Sequence, residues 1–223
     1  NTVLQGLYVL EACRLRDLGW EYDRMVERLL AIRESGRIFF TIGNIDYLKH
    51  GGRIGKLAGI AASALKIKPL ITLKEGEIFN SGITRSRQKS MQKVVEMTEK
   101  YLDEVQAKPG EYSFCIGYGY DYEEAVGFRE MLKDLIRERL GIEEIGIYQI
   151  GATIGVHTGP YPIGFGIVRH AKVWLRILNV HDRNRRDSSP VLFLSCCGGA
   201  KRCRFRSMPR TECSATRHLV QKL

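Results

Sequence analysis

Three short segments carry residues whose types and spacing could do chemistry. The first is Tyr47-Leu48-Lys49-His50-Gly51-Gly52-Arg53-Ile54. Its two glycines let the backbone turn tightly and approach a ligand. Arg53 then offers a planar fork of donors suited to a carboxylate or phosphate. It stands at the entry to a helical segment, where backbone amides also favour an anion. The commoner meaning of such a stretch is a glycine turn with a surface arginine. The second segment is Gly155-Val156-His157-Thr158-Gly159-Pro160. Here an imidazole and a hydroxyl precede a rigid turn and could both donate to a carboxylate. A lone histidine is more often a core residue bonded to the backbone, and no second histidine lies at metal-ligand spacing. The third is residues 56–65, Lys-Leu-Ala-Gly-Ile-Ala-Ala-Ser-Ala-Leu. Its small side chains, Ala61 and Ala64 among them, leave room beside a helix that carries Ile60. Another helix usually fills such room, but a long apolar ligand could fill it too, at ~0.8 kcal/mol per buried methylene.

The elements that must position these segments alternate. Leucines at 4, 7, 10, 15 and 18 predict an amphipathic helix, and Met25, Leu29 and Ile32 predict a second one over 21–34. A strand follows at 37–42, then the polar connection with Arg53, then the small-residue helix. Residues 70–73 and 78–83 flank Lys74-Glu75-Gly76-Glu77 and predict a β-hairpin. A long helix is predicted over 86–105, a strand over 112–118, and a helix capped by Asp121 that runs to about Leu140. Further strands are expected at 144–153 and 163–168, with a glycine- and proline-rich loop over 155–162 holding His157. The fold class is therefore α/β, or α+β, with helices on a mixed, largely antiparallel sheet.

The 223 residues include 35 Lys+Arg and 25 Asp+Glu, a net charge of +10. That excess is local. Residues 172–223 hold 12 of the basic and 3 of the acidic side chains, so residues 1–171 are nearly neutral. A basic tail argues for non-specific attraction to polyanions rather than a specific nucleic-acid site. Four of the six cysteines, at 196, 197, 203 and 213, lie in that tail without the paired CxxC spacing of a zinc site. Cys13 and Cys115 stand in apolar surroundings and read as free thiols of a reducing compartment, which fits a cytoplasmic protein. No apolar run reaches the ~18 residues of a membrane span. The periodicity fails after residue 171, so residues 172–223 are expected to be disordered.

Taken in order, Tyr-Leu-Lys-x-Gly-Gly-Arg-Ile, Ile-Lys-Pro at 67–69, the two arginines within 84–89 and His-Thr-Gly-Pro at 157–160 resemble the DegV family. The opening, from Asn1 to Ala12, is similar to a stretch in the middle of that family. The resemblance covers residues 1–169 and implies an amino-terminally truncated member. Residues 1–36 would be the end of a parallel α/β domain, 37–171 the lipid-binding domain, and 172–223 an unrelated extension. It implies a binding protein rather than an enzyme. A long-chain fatty acid would be the ligand, no cofactor or metal would be needed, and a separate fatty acid kinase catalytic subunit would phosphorylate the carboxylate. The carboxylate would be held by Arg53 and His157, with Thr158 as a further donor and Gly52 and Ile54 beside them. Ile60, Ala61 and Ala64 would line the acyl slot, and Arg85 would face the kinase. One departure from the family pattern is Tyr161, where glycine is usual, with its bulk beside the head group. The alternative is a hydrolase or transferase acting on an acyl or phosphate substrate, with His157 as general base.

Overall fold

The computed structural model describes residues 1–57 and 67–170. Ile60, Ala61 and Ala64, and the extension from residue 171 onward, lie outside the described residues. The described residues belong to one compact unit.

Among the described residues six strands form a single sheet: β1 (Arg37–Thr41), β2 (Lys68–Lys74), β3 (Glu77–Thr84), β4 (Tyr112–Tyr118), β5 (Gly146–Gln149) and β6 (Ile163–Arg169). Their order is β3-β2-β1-β6-β4-β5. Only β4 and β5 run parallel. The hairpin forms as expected. Lys74 pairs with Glu77 across a two-residue turn in which Glu75 and Gly76 both take positive φ, 53° and 82°. That is the turn whose twist matches the flanking strands.

Alternation along the strands separates two faces. One carries Phe39, Phe114, Ile116, Phe165 and Ile167, all buried. Phe114 and Phe165 stack at 4.6 Å, and Phe39 packs against Phe165 and Tyr101. The helices α4 (Arg87–Glu104) and α5 (Tyr122–Leu140) contribute Val94, Leu102, Phe128, Leu132 and Ile136 to the same core. Both helices start on a side-chain cap. Ser86 accepts from the Lys89 amide and Asp121 from the Glu124 amide. A bidentate ion pair, Arg87 to Glu124 at 2.6 and 2.5 Å, ties the two starts together.

The opposite face is shallower because Gly117 and Gly164 stand directly opposite each other, and Gly166 faces Ile38. The helix α1 (Thr2–Asp17) lies over this bare strip. A Cβ at Gly117 would come 2.9 Å from Val3, and one at Gly166 would come 3.1 Å from the Leu4 amide nitrogen. The helix α2 (Tyr22–Arg33) packs on α1, where the Tyr8 hydroxyl donates to the Arg33 carbonyl at 2.8 Å. Leu4, Leu7 and Leu15 are buried as their spacing predicts, but Leu10 and Leu18 are at least half exposed.

Three expectations fail in the region that matters most. The strand predicted over 144–153 is confined to Gly146–Gln149. The predicted loop over 155–162 is instead entered by a short helix, α6 (Ala152–Thr158), with His157 in its last turn. Residues 46–50, read as part of a polar connection, form another short helix, α3 (Asp46–His50), started by the Asn44 side chain accepting from the Asp46 amide at 2.9 Å.

Candidate functional site

Beside the start of α1, the Gly117–Gly164 end of the bare strip opens into a groove of about 620 Å³. Ile38, Phe40, Leu73, Ile78 and Ile163 line its apolar part. These residues come from four strands, and the register puts Ile38 beside Leu73 and Leu73 beside Ile78. From Gly117 on β4 to Ile78 on β3 the groove crosses four inter-strand spacings, ~19 Å at about 4.8 Å each. That length is comparable with an extended long acyl chain. On the same face of the sheet Ile42, Ile45, Leu57, Ile67 and Ile71 form a second buried cluster, and the floor residues Phe40 and Ile78 pack against it.

The polar part of the groove wall comes from the two short helices and the loop after α3. Arg53, Gly52, His157, Thr158 and Thr153 all line it. Arg53 is exposed, and its guanidinium makes one long bond, 3.4 Å to the Gly51 carbonyl. Among the described residues it has no carboxylate partner. The backbone amides here are already engaged. Gly51, Gly52 and Arg53 donate to the carbonyls of Tyr47, Lys49 and Leu48 at 2.8–3.0 Å. An anion at this end would therefore meet side chains rather than a nest of amides. The Thr158 hydroxyl lies within reach of the Ile154 and Gly159 carbonyls at 3.2 and 3.3 Å, so it must rotate to donate to a ligand.

His157 is held closely. Its Nδ1 is buried and has no hydrogen-bond partner among the described residues. It stands against Gly51, where a Cβ would fall 2.1 Å from Nδ1. Any side chain at position 51 would displace the ring, so the first glycine of the Gly-Gly-Arg run clears space for an imidazole about a hundred residues away.

The remaining sequence candidates are placed as follows. Ile54 packs on the second buried cluster and does not line the groove. Arg85 is exposed and directly follows β3. Thr84 pairs with Lys68, and the Lys68 ammonium donates to the Gly43 carbonyl, so Arg85 lies at the same end of the sheet as the segment leading into α3. Tyr161 rests on Gly43 and meets Tyr120 edge-on at 6.4 Å, and it does not line the groove.

Sequence reasoning missed the floor residues Ile38, Phe40, Leu73, Ile78 and Gly164. Their period-two signal was present, but it cannot say which face of a strand meets a helix and which meets a groove. Among the described residues there is no group of three His, Cys, Asp or Glu able to hold a metal ion. No helix among them is long and apolar enough to cross a membrane.

Comparison with known proteins identifies the family and the fold. The chain is 32% identical over 163 residues to a DegV domain-containing protein of Clostridium perfringens, covering 73% of this chain and 55% of that one. A crystal structure of a stearic acid-binding protein from Eubacterium ventriosum superimposes with a TM-score of 0.69 at 40% identity, over 77% of this chain and 57% of that one. A fatty-acid-binding DegV family protein from Thermus thermophilus superimposes with a TM-score of 0.63 at 26% identity, over 74% and 56%. The chain thus spans about half the length of the relatives it matches. The model of the DegV family, described as uncharacterised proteins, matches residues 1–170, and the chain belongs to that family.

Proposed function

We propose that this chain binds a long-chain fatty acid in the groove and presents its carboxylate to a separate kinase, or carries the acyl group onward. The observation that carries this reading is the two-sided chemistry of one cavity. Isoleucine, leucine and phenylalanine side chains line the sheet, and an imidazole and a guanidinium without a carboxylate partner among the described residues line the wall beside it. A carboxylate would sit between Arg53 and His157, with Thr158 able to add a donor after rotation and Gly52 leaving the approach open. Ile54, packed on the second buried cluster, would support this end. Residues 56–65, with Ile60, Ala61 and Ala64, would supply the facing wall of the acyl slot. The neighbouring structures that bind stearic and other fatty acids support the ligand class. Arg85, exposed at the end of the sheet that leads into α3, supports a kinase-facing role for that end.

The energetics favour such a division of labour. Each buried methylene contributes ~0.8 kcal/mol. One charged contact at a solvent-exposed arginine contributes about 1 kcal/mol or less. The tail would supply affinity and the head group would supply direction.

Native mass spectrometry of the purified chain, followed by organic extraction and lipid identification, tests the reading. A fatty acid at near one per chain, depleted in Arg53→Ala, is the expected result. A protein that stays empty when offered palmitate contradicts it. Phosphorylation of the bound acid by a fatty acid kinase catalytic subunit, lost in Arg85→Glu with palmitate binding intact, tests the partner. Turnover of acyl esters that disappears in His157→Ala would instead favour a hydrolase.

A further inference from the structure

The imidazole proposed to meet the carboxylate sits on a helix of seven residues, too short to hold its own direction in water. Its direction comes from an exchange of rings with α3. Gly51, at the end of α3, receives His157 of α6. Gly159, at the end of α6, receives Tyr47 of α3, because a Cβ at 159 would fall 2.5 Å from the Tyr47 ring. Gly159 adopts φ 74° and ψ −171°, a conformation essentially reserved for glycine. Each short helix thus ends in a notch filled by the other's aromatic side chain.

We propose that Tyr47 is a positioning residue for the head-group site: its ring, seated on Gly159, holds α6 against α3 and so sets the direction of His157. The inference rests on the reading of His157 as a carboxylate ligand. Tyr47 itself does not line the groove. Its hydroxyl makes no hydrogen bond among the described residues, and the residue is 42% exposed. The ring, rather than the phenol, is therefore what the interlock uses.

The test pairs a ligand readout with one that needs no ligand. Palmitate affinity is measured by displacement of a fluorescent fatty acid for Tyr47→Phe, Tyr47→Ala, His157→Ala and the Tyr47→Ala/His157→Ala double variant. The His157 ring resonances are recorded in parallel by NMR on histidine-labelled protein without ligand. Tyr47→Phe keeps the ring, so it should match the parent in both. Tyr47→Ala should weaken palmitate about tenfold, the scale of one charge-assisted hydrogen bond. It should add nothing in the His157→Ala background, and it should broaden or shift the His157 ring signals. If Tyr47→Ala does not fold, Tyr47→Leu, which keeps apolar contact without a ring, serves in its place.

Unchanged His157 signals in Tyr47→Ala, or additive losses in the double variant, overturn the positioning role. If the parent protein binds no palmitate, the fatty-acid reading fails and the inference about the head-group site fails with it. The ligand-free spectra still show whether Tyr47 orders His157, so the two failures are told apart.

Discussion

Lengthening the ligand one carbon at a time probes the groove more directly than any substitution. If the acyl chain lies along the sheet between Gly117 and Ile78, each added methylene leaves water for a surface of Ile38, Phe40, Leu73 and Ile78. At ~0.8 kcal/mol per methylene, each carbon tightens binding about fourfold and each pair of carbons about fifteenfold. The gain stops when the chain fills the ~19 Å that four inter-strand spacings allow. Displacement of a fluorescent fatty acid by dodecanoate, tetradecanoate, hexadecanoate and octadecanoate, each below its micelle concentration, reads this slope. The same series on Arg53→Ala separates the two ends of the site. The Arg53 guanidinium is exposed, so its loss should cost about 1 kcal/mol, roughly fivefold. It should do so equally at every chain length, giving a parallel line. An affinity independent of chain length would refute burial of the tail in this groove. A changed slope in Arg53→Ala would refute the separation of head and tail.

Three other outcomes are expected. Gly164→Ala places a Cβ 2.1 Å from the Phe39 carbonyl oxygen, a backbone atom, so β1 and β6 must separate. A loss of at least 1–3 kcal/mol should lower the melting temperature by several degrees in a calorimetric scan. Cys115 is 3% exposed and burial pushes its thiol up to about 12, so it should resist iodoacetamide at pH 8 in the native protein and react after unfolding in urea. Burial also raises the Tyr8 and Tyr101 phenols to about 12. Both donate to carbonyls at the α2–β1 junction, of Arg33 and Ser35. Their folded values exceed the unfolded value near 10, so the stability they contribute is full below pH 10 and is lost as pH rises toward 12. Urea titrations across that window should show the fall, and Tyr8→Phe/Tyr101→Phe should flatten it.

Local chemistry made much of the frame readable. The hairpin at Glu75-Gly76 and the cap at Asp121 are signals written within four residues, and the structure places both as expected. The segment around His157 misleads for a physical reason. Thr153, Ile154 and Val156 favour a strand, while Gly151, Gly155 and Gly159 favour a loop. The helix forms because Tyr47 and Gly51, far away in sequence, supply the packing that its own residues lack. Leu10 and Leu18 continue the periodic stripe of α1 without being buried. Likewise, nothing local says that β6, the last of the described strands, inserts between β1 and β4. That insertion brings Gly164 opposite Gly117 and makes the floor of the groove. The motif residues Arg53 and His157 could be named from sequence, but the wall they share could not.

The two glycines of that rung differ in how freely they can change. A methyl group at Gly164 would strike the main chain of its neighbouring strand, whereas the nearest atoms to one at Gly117 belong to the side chains of Val3 and Ile150. Backbone cannot retreat without breaking the ladder, but valine and isoleucine can shift or shorten. The same groove floor therefore contains one position closed to variation and, beside it, one open to variation. Descendants of this chain could reshape the cavity for bent or branched tails by substitution at Gly117, while the sheet beneath remained intact.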